Sequence, residues 1–308
     1  MRRKVIQQGP STLMISLPSK WAKENSIRKG EEIELNIENN QLIVSSSEIS
    51  KEKVTKITLN SKDTYLDRII MSKYRENYDT VIVEYDDISI LDDIKKTLTY
   101  LLGFEIVDQN KTSCTIQNVS EGSDKDFPKM FRRMFQIVNS MSESCLEYVK
   151  TKEEKYLRTS IELREMLIKI EQFNLRIINK NNSFSLNQKT LEYFYVWHLS
   201  TFGKSWASLA KNELFKIKTF SKEDSVFFEE VTKFAMSLYE TYYSKKKDNL
   251  IKMKKELYRL RPIGADLLDN SKNKMVIFYL LRLLNRTYEV IQHTDFEIYS
   301  NNKYKNQL

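Results

Sequence analysis

Apolar and polar residues alternate along this chain in three successive rhythms. The first reaches to about residue 48. Lys4-Val-Ile-Gln-Gln-Gly9 and Thr12-Leu-Met-Ile-Ser-Leu17 are short β-rich runs separated by the turn signal Gly9-Pro10-Ser11, which predicts a hairpin. Pro18-Ser19-Lys20-Trp21-Ala22-Lys23 follows with proline early in a short helix, where its missing N–H costs nothing. Beyond Gly30, the alternation of Ile33, Leu35 and Ile37 with polar residues marks a half-buried strand. Asn39-Asn40 is suited to a tight turn, and Gln41 to Ser45 completes a second hairpin.

The second rhythm, residues 52–122, mixes periods. Val54 to Leu59 and Thr80 to Tyr85 read as strands, and Asp63 to Tyr74 reads as a helix. Leu91 to Leu102 is a further helix, stopped by Gly103. Phe104 to Val107 and Cys114 to Gln117 form a hairpin. The order β-α-β-α-β-β predicts a small α+β sandwich with its helices on one sheet face.

The third rhythm, residues 126–300, is helical throughout. Asp126 serves as N-cap and Pro128 sits in the first turn of a helix carrying Phe131, Met134, Phe135, Val138, Met141 and Cys145. A second helix, about 152–180, is broken by Asn181-Asn182-Ser183, and a third runs over about 186–218. After Thr219-Phe220-Ser221-Lys222 the layout returns. Phe227, Val231, Phe234 and Leu238 mark a fourth helix, Leu250 to Leu260 a shorter fifth ended by Pro262, and Ile277, Leu281, Leu284, Tyr288 and Ile291 a sixth. Two three-helix halves with short connections predict antiparallel packing and a tandem repeat. The expected fold class is therefore multidomain α+β, with domains at 1–48, 52–122 and 126–300.

Composition narrows the function. The chain has 308 residues but only six Gly, four Pro, two His and two Cys, which excludes low-complexity linkers, disulfide scaffolds and a Cys/His zinc site. No apolar run approaches the roughly 20 residues that cross a bilayer, and the first residues open a strand instead of a signal peptide, so a cytoplasmic protein is expected. No paired nucleophile and base or phosphate-cradling Gly loop is evident, so no enzyme and no cofactor is expected. His198 falls on an apolar helix stripe and His293 near the chain end. The pairs Asp86-Asp87 and Asp92-Asp93 suit helix starts, where acids favour the dipole. The middle unit is read as a connector or small-ligand sensor.

The net charge of +8 is unevenly spread. Residues 1–30 carry seven bases and one acid, residues 31–50 five acids and no base, and residues 127–308 have 32 bases against 21 acids. In the last segment Lys245, Lys246, Lys247, Lys252, Lys254, Lys255, Arg259 and Arg261 form a basic stretch. Lys245, Lys246, Lys247, Lys252 and Lys255 are its candidates for docking to an acidic partner or anionic lipid.

Fewer than 50 residues without metal or disulfide bury too little surface to fold comfortably alone, so the first unit is expected to dimerise. Arg3-Lys4-Val5 with Gly9, Ile15-Ser-Leu-Pro-Ser-Lys-Trp-Ala22, Ile27-Arg-Lys-Gly-Glu-Glu-Ile33 and Leu42-Ile-Val44 resemble the SpoVT/AbrB DNA-binding domain. That resemblance implies an interleaved homodimer of swapped hairpins that presents bases to double-stranded DNA. It puts Arg3, Lys4, Lys20 and Lys23 at the family's basic positions, with Arg2 and Arg28 beside them. Gln7, Gln8 and Thr12 are then placed to reach base edges or sugars. The family's frequent Arg after the turn Gly is absent at Pro10-Ser11-Thr12.

The helical region is similar to archaeal PhoU-like phosphate uptake regulators, through Leu191-Glu-Tyr-Phe-Tyr-Val-Trp-His-Leu-Ser-Thr-Phe-Gly-Lys-Ser-Trp-Ala207 and Leu280-Leu-Arg-Leu-Leu-Asn-Arg-Thr-Tyr-Glu289. The carboxylates with which that family builds metal clusters fall here on Ser200, Lys204, Asn285 and Glu289, so no metal is expected. Glu165, Glu171 and Glu289 are read as solvated. Together the resemblances imply a DNA-binding transcriptional regulator of phosphate uptake and homeostasis with a helical sensor or docking domain. The alternative is an adaptor on a phosphate transporter or signalling protein, whose N-terminal domain only dimerises.

Overall fold

The computed structural model describes residues 2–38, 41–46, 52–120, 124–180, 184–217 and 219–305. The chain forms two compact units, Met1–Lys53 and Val54–Leu308.

In the first unit, β1 (Ile6–Gln7) and β2 (Leu13–Met14) pair antiparallel, followed by α1 (Ser19–Glu24) and the longer hairpin β3 (Ile33–Glu38) and β4 (Gln41–Ser46). The first hairpin's strands are much shorter than the sequence runs suggest. Its tip is closed by the Gln8 N–H donating to the Thr12 carbonyl at 2.8 Å, with Gly9 at φ +79°. The left-handed backbone there suits a residue without Cβ. The turn expected at Asn39-Asn40 lies outside the described residues. None of the described residues of 1–53 whose burial is given is buried.

The second unit opens with β5 (Val54–Leu59), α2 (Leu66–Arg75), β6 (Thr80–Tyr85), α3 (Ile90–Leu98), β7 (Phe104–Gln109) and β8 (Ser113–Asn118). The sheet order is β5-β6-β8-β7, with β5 and β6 parallel and the remaining pairs antiparallel. A β-bulge interrupts the β7–β8 register between Ile106 and Asp108. Alternate sheet residues Leu59, Val81, Val83, Phe104 and Ile116 pack with Ile70, Tyr74 and Ile94 of the helices in one core. Helix α3 ends four residues earlier than the apolar spacing predicts. Gly103 nevertheless shapes the turn into β7, at φ +85°, where a Cβ would lie 2.4 Å from Ser120 Oγ.

Six helices follow: α4 (Phe127–Thr151), α5 (Lys155–Lys180), α6 (Leu186–Asn212), α7 (Lys222–Ser244), α8 (Lys247–Asn270) and α9 (Lys274–Lys305). Consecutive helices pack within each half, and α4 on α7 and α6 on α9 join the halves into one core. The halves repeat a detail as well as a layout. Helices α4 and α7 both stop at a left-handed lysine, Lys152 at φ 63° and Lys245 at φ 50°. Each ammonium lies over an aromatic ring, Lys152 at 3.9 Å from Phe220 and Lys245 at 4.1 Å from Tyr242.

Two helix limits and one cap differ from the periodic reading. Pro262 does not end the fifth helix; α8 runs through it to Asn270. Proline removes one N–H and crowds the carbonyl of Tyr258, but both residues face solvent, where water takes the free carbonyl. The third helix stops at Asn212 instead of 218, and a 3-10 turn, Leu214–Lys216, buries Leu214. Asp126 precedes α4 but makes no capping hydrogen bond; Ser185 and Ser221 are the side chains that cap α6 and α7.

The α+β layer is not set apart from the bundle. From Leu167 to Ile178, α5 is buried at every residue except the half-exposed Lys169, because it packs on α4 and α6 and also on α2. Arg176 reaches across, donating to the carbonyls of Tyr74 at 2.8 Å and Tyr78 at 2.9 Å, and pairing with Asp79 at 3.4 Å.

Candidate nucleic-acid interface

The candidate DNA-binding residues fall into three groups. Arg2, Arg3 and Lys4 lead into β1; Gln7 sits on β1 opposite Leu13, and Gln8 and Thr12 close the same hairpin. Lys20 and Lys23 lie on α1, and Arg28 stands at the turn before β3, its backbone N–H bonded to Glu31 at 2.7 Å. All nine side chains are exposed. Of the six bases, Lys20 alone has an ion pair among the described residues, with Glu24 at 3.8 Å on the solvated face of α1. Such an exposed pair is worth little and leaves the ammonium available to another anion.

The same unit exposes its apolar residues. Leu13 is 71 % and Ile37 81 % exposed, with Val5, Ile6, Ile15, Leu35 and Leu42 all about half exposed or more. That is a large apolar surface for a unit of about fifty residues, of the kind that marks an interaction site.

The basic stretch of the helical unit is less uniform than its sequence suggests. Lys245 is held over Tyr242, and Arg259 is taken by Glu256 at 2.7 Å and Glu230 at 2.8 Å. Lys252 borders a cleft of about 530 Å³ between α7 and α8, shared with Glu230, Glu240 and Glu256. Lys246, Lys247 and Lys255 are exposed.

The positions that the sequence resemblance assigns to metal ligands do not fit a metal. Lys204 Nζ sits 2.6 Å from Glu171 Oε2, and Glu171 is 2 % exposed, so this acid is buried and neutralised by a tethered cation instead of being solvated. The Ser200 side chain is buried, and Asn285 accepts from Arg261 at 2.8 Å. Glu289 bridges Arg286 at 2.9 Å and His198 Nδ1 at 3.2 Å. Burial holds the His198 pKa below the usual imidazole value, with Glu289 pulling the other way. His198 also stacks on Phe194 at 4.0 Å between ring centres, a packed role on the α6–α9 seam.

Other reactive groups are accounted for structurally. Burial pushes the Cys114 thiol up to about 11 and the Cys145 thiol up to about 12, so both stay protonated and poorly nucleophilic. Asp86 accepts from the Ser61 N–H at 2.8 Å, and Asp87 from the Ser89 N–H at 2.8 Å, which lowers its pKa. Among the described residues no helix is long and apolar enough to cross a membrane.

Residues 6–53 match the family described as antidote-toxin recognition MazE, bacterial antitoxin. The first unit is accordingly a hairpin domain of the MazE/AbrB antitoxin-like type. Among solved structures the chain is similar to the phosphate transport system regulatory protein PhoU from Streptococcus pneumoniae, at 12 % identity and a TM-score of 0.44, over 56 % of this chain and 92 % of that one. No curated protein matches the sequence.

Proposed function

We propose that the protein is a DNA-binding, non-enzymatic transcriptional regulator of phosphate uptake and homeostasis that works as a homodimer through its N-terminal unit. One observation carries this reading: residues 1–53 form a unit without a buried residue among those whose burial is given, exposing apolar strands and solvated bases together. A second copy covers the apolar strands, and the bases of both copies then face a two-fold symmetric DNA site. Arg2, Arg3, Lys4, Lys20, Lys23 and Arg28 neutralise phosphates and release counterions, while Gln7 and Thr12 reach base edges or sugars. The match to a MazE/AbrB-type family supports the DNA and dimer parts. The link to phosphate rests on the sequence resemblance of the helical region alone.

Lys246 and Lys255 favour a second activity, docking of the helical unit on an acidic partner such as a transporter subunit or signalling protein, because both are exposed on the basic stretch that also holds Lys247. The test separates the two. Arg3→Ala combined with Lys20→Ala is expected to weaken binding to duplex DNA from the protein's own upstream region by about 100-fold at 0.1 M salt, with the dimer mass unchanged. Undiminished DNA affinity in an intact dimer leaves the N-terminal unit as a dimerisation device and the docking activity as the principal one.

A further inference from the structure

We propose that a cleft between α2, α3 and α5 binds a small zwitterion, an α-amino acid with an apolar side chain. This goes beyond the DNA-binding reading, on which it does not depend. The cleft encloses about 370 Å³ and lies where the α+β layer meets the bundle. That volume is at the small end of ligand sites, and the junction of two packed layers is a favoured place for them.

Its chemistry is two-signed. Asp67 enters from the first turn of α2, Asp93 and Lys96 from α3, and Arg164 from α5, while Asp63 lies in the turn before α2 and accepts from the Asn60 N–H at 2.9 Å. Asp67 and Asp93 lie in the first turns of their helices, where the dipole favours the ionised carboxylate. On α2 itself Lys73 closes on Glu76 at 2.9 Å. In the cleft opposite charges stay apart: among the described residues none of Asp67, Asp93, Lys96 and Arg164 is in an ion pair within 4.0 Å. The wall between them is apolar. Leu66 and Ile168 are buried and Met71 is half-buried, and all three line the cleft.

A ligand with one charge leaves one set of these groups unanswered. A phosphate dianion meets three carboxylates, and a simple cation meets Lys96 and Arg164. A carboxylate on Arg164 and Lys96, with an ammonium on Asp67 and Asp93, answers both, and the planar guanidinium fork matches a carboxylate in two-point contact. An aliphatic or thioether side chain then covers Leu66, Met71 and Ile168. Bound there, the ligand ties α5 to α2 and α3 at a point three turns from the Arg176 contact, so it stiffens the joint between the two layers.

The experiment is calorimetric titration of the full chain with L-leucine, L-isoleucine and L-methionine, beside 3-methylbutylamine, 4-methylpentanoate and inorganic phosphate. At least one amino acid is expected to bind saturably, with both single-charge analogues of leucine and phosphate at least ten-fold weaker than the best amino acid. Arg164→Ala and Asp93→Asn, both exposed positions, are each expected to lower that affinity at least ten-fold while leaving the unliganded melting temperature unchanged. Absence of saturable binding by all three amino acids overturns the proposal. Equal binding of a single-charge analogue or of phosphate, or full affinity in both variants, overturns it as well. DNA affinity measured without amino acid is a separate readout, so this site and the DNA reading fail independently.

Discussion

Arg176→Ala is expected to destabilise the second unit by about 3 kcal/mol, because it removes a buried charged donor that makes three contacts across the two layers and leaves a cavity where the guanidinium packed. For a unit of this size that corresponds to a fall in melting temperature of roughly 6–12 °C. The guanidinium is 7 % exposed and lies 4.8 Å from the Tyr74 ring centre and 5.2 Å from that of Phe104. Its two backbone acceptors, the carbonyls of Tyr74 and Tyr78, lie at the end of α2 and in the turn after it, and the Tyr74 carbonyl also accepts from the Asn77 N–H at 3.1 Å. Burial lowers the Arg176 pKa, and the neighbouring Asp79 works against that. Arg176→Lys retains the charge but loses the planar fork, so it is expected to recover only part of the loss. Differential scanning calorimetry checks the magnitude. Hydrogen exchange checks the mechanism, since protection of Tyr74–Tyr78 should fall before that of the bundle. Wild-type stability in the alanine variant would show that the two layers hold together without this contact.

Gly203→Val is expected to cost about 3 kcal/mol or more, near the upper range for overpacking a core. Gly203 lies in the middle of α6, where α4 and α5 cross it. A Cβ built there falls 2.3 Å from Leu167 Cδ2 and 3.0 Å from Val138 Cγ2, and Leu167 is fully buried, so its side chain has nowhere to move. The alanine variant is the sharper test of cause. Alanine in a helix interior gains about 1 kcal/mol over glycine by propensity. Gly203→Ala is therefore expected to destabilise in spite of that gain, and stabilisation would show that the three helices do not need the close approach. Urea unfolding at constant m-value measures both variants.

Much of this architecture can be read from residue patterns. Every strand and helix of the α+β layer appears in the alternation of β-branched runs with amphipathic stretches, and Gly9, Gly30 and Gly103 occupy turns of positive φ. The six long helices follow the apolar spacing. What escapes the pattern is long-range packing. The second half of α5 carries Glu171, Gln172, Asn174 and Arg176, polar residues that suggest a solvated face, yet all are buried. A helix that serves two cores has no solvated side; Arg176 and Glu171 find partners on α2 and α6 that no local periodicity announces, while Gln172 Oε1 and Asn174 Oδ1 are buried without a hydrogen bond among the described residues. Pro262 misleads for the opposite reason: a proline stops a helix when the orphaned carbonyl has no other partner, and here water is available.

The proposed functional residues divide the same way. The N-terminal bases stand out because they are close in sequence and unbalanced by acids. The proposed amino-acid cleft does not, because Asp67 and Arg164 are about a hundred residues apart and each looks like an ordinary solvated charge. Exposure of the apolar strands in residues 1–53 could be argued from length alone. That no residue of the unit whose burial is given is buried in the single chain is visible only in three dimensions.

The most direct test of the account is the salt dependence of binding between the 308-residue chain and duplex DNA from its own upstream region. If about six of the twelve symmetry-related bases of a dimer engage phosphates, the logarithm of the binding constant falls against the logarithm of salt concentration with a slope of about −5. The expected result is that slope together with a dimer at the protein concentrations used. A slope near zero, or binding that does not change when duplex DNA is titrated across 0.05 to 0.3 M salt, as for a surface that makes no phosphate contacts, would contradict it.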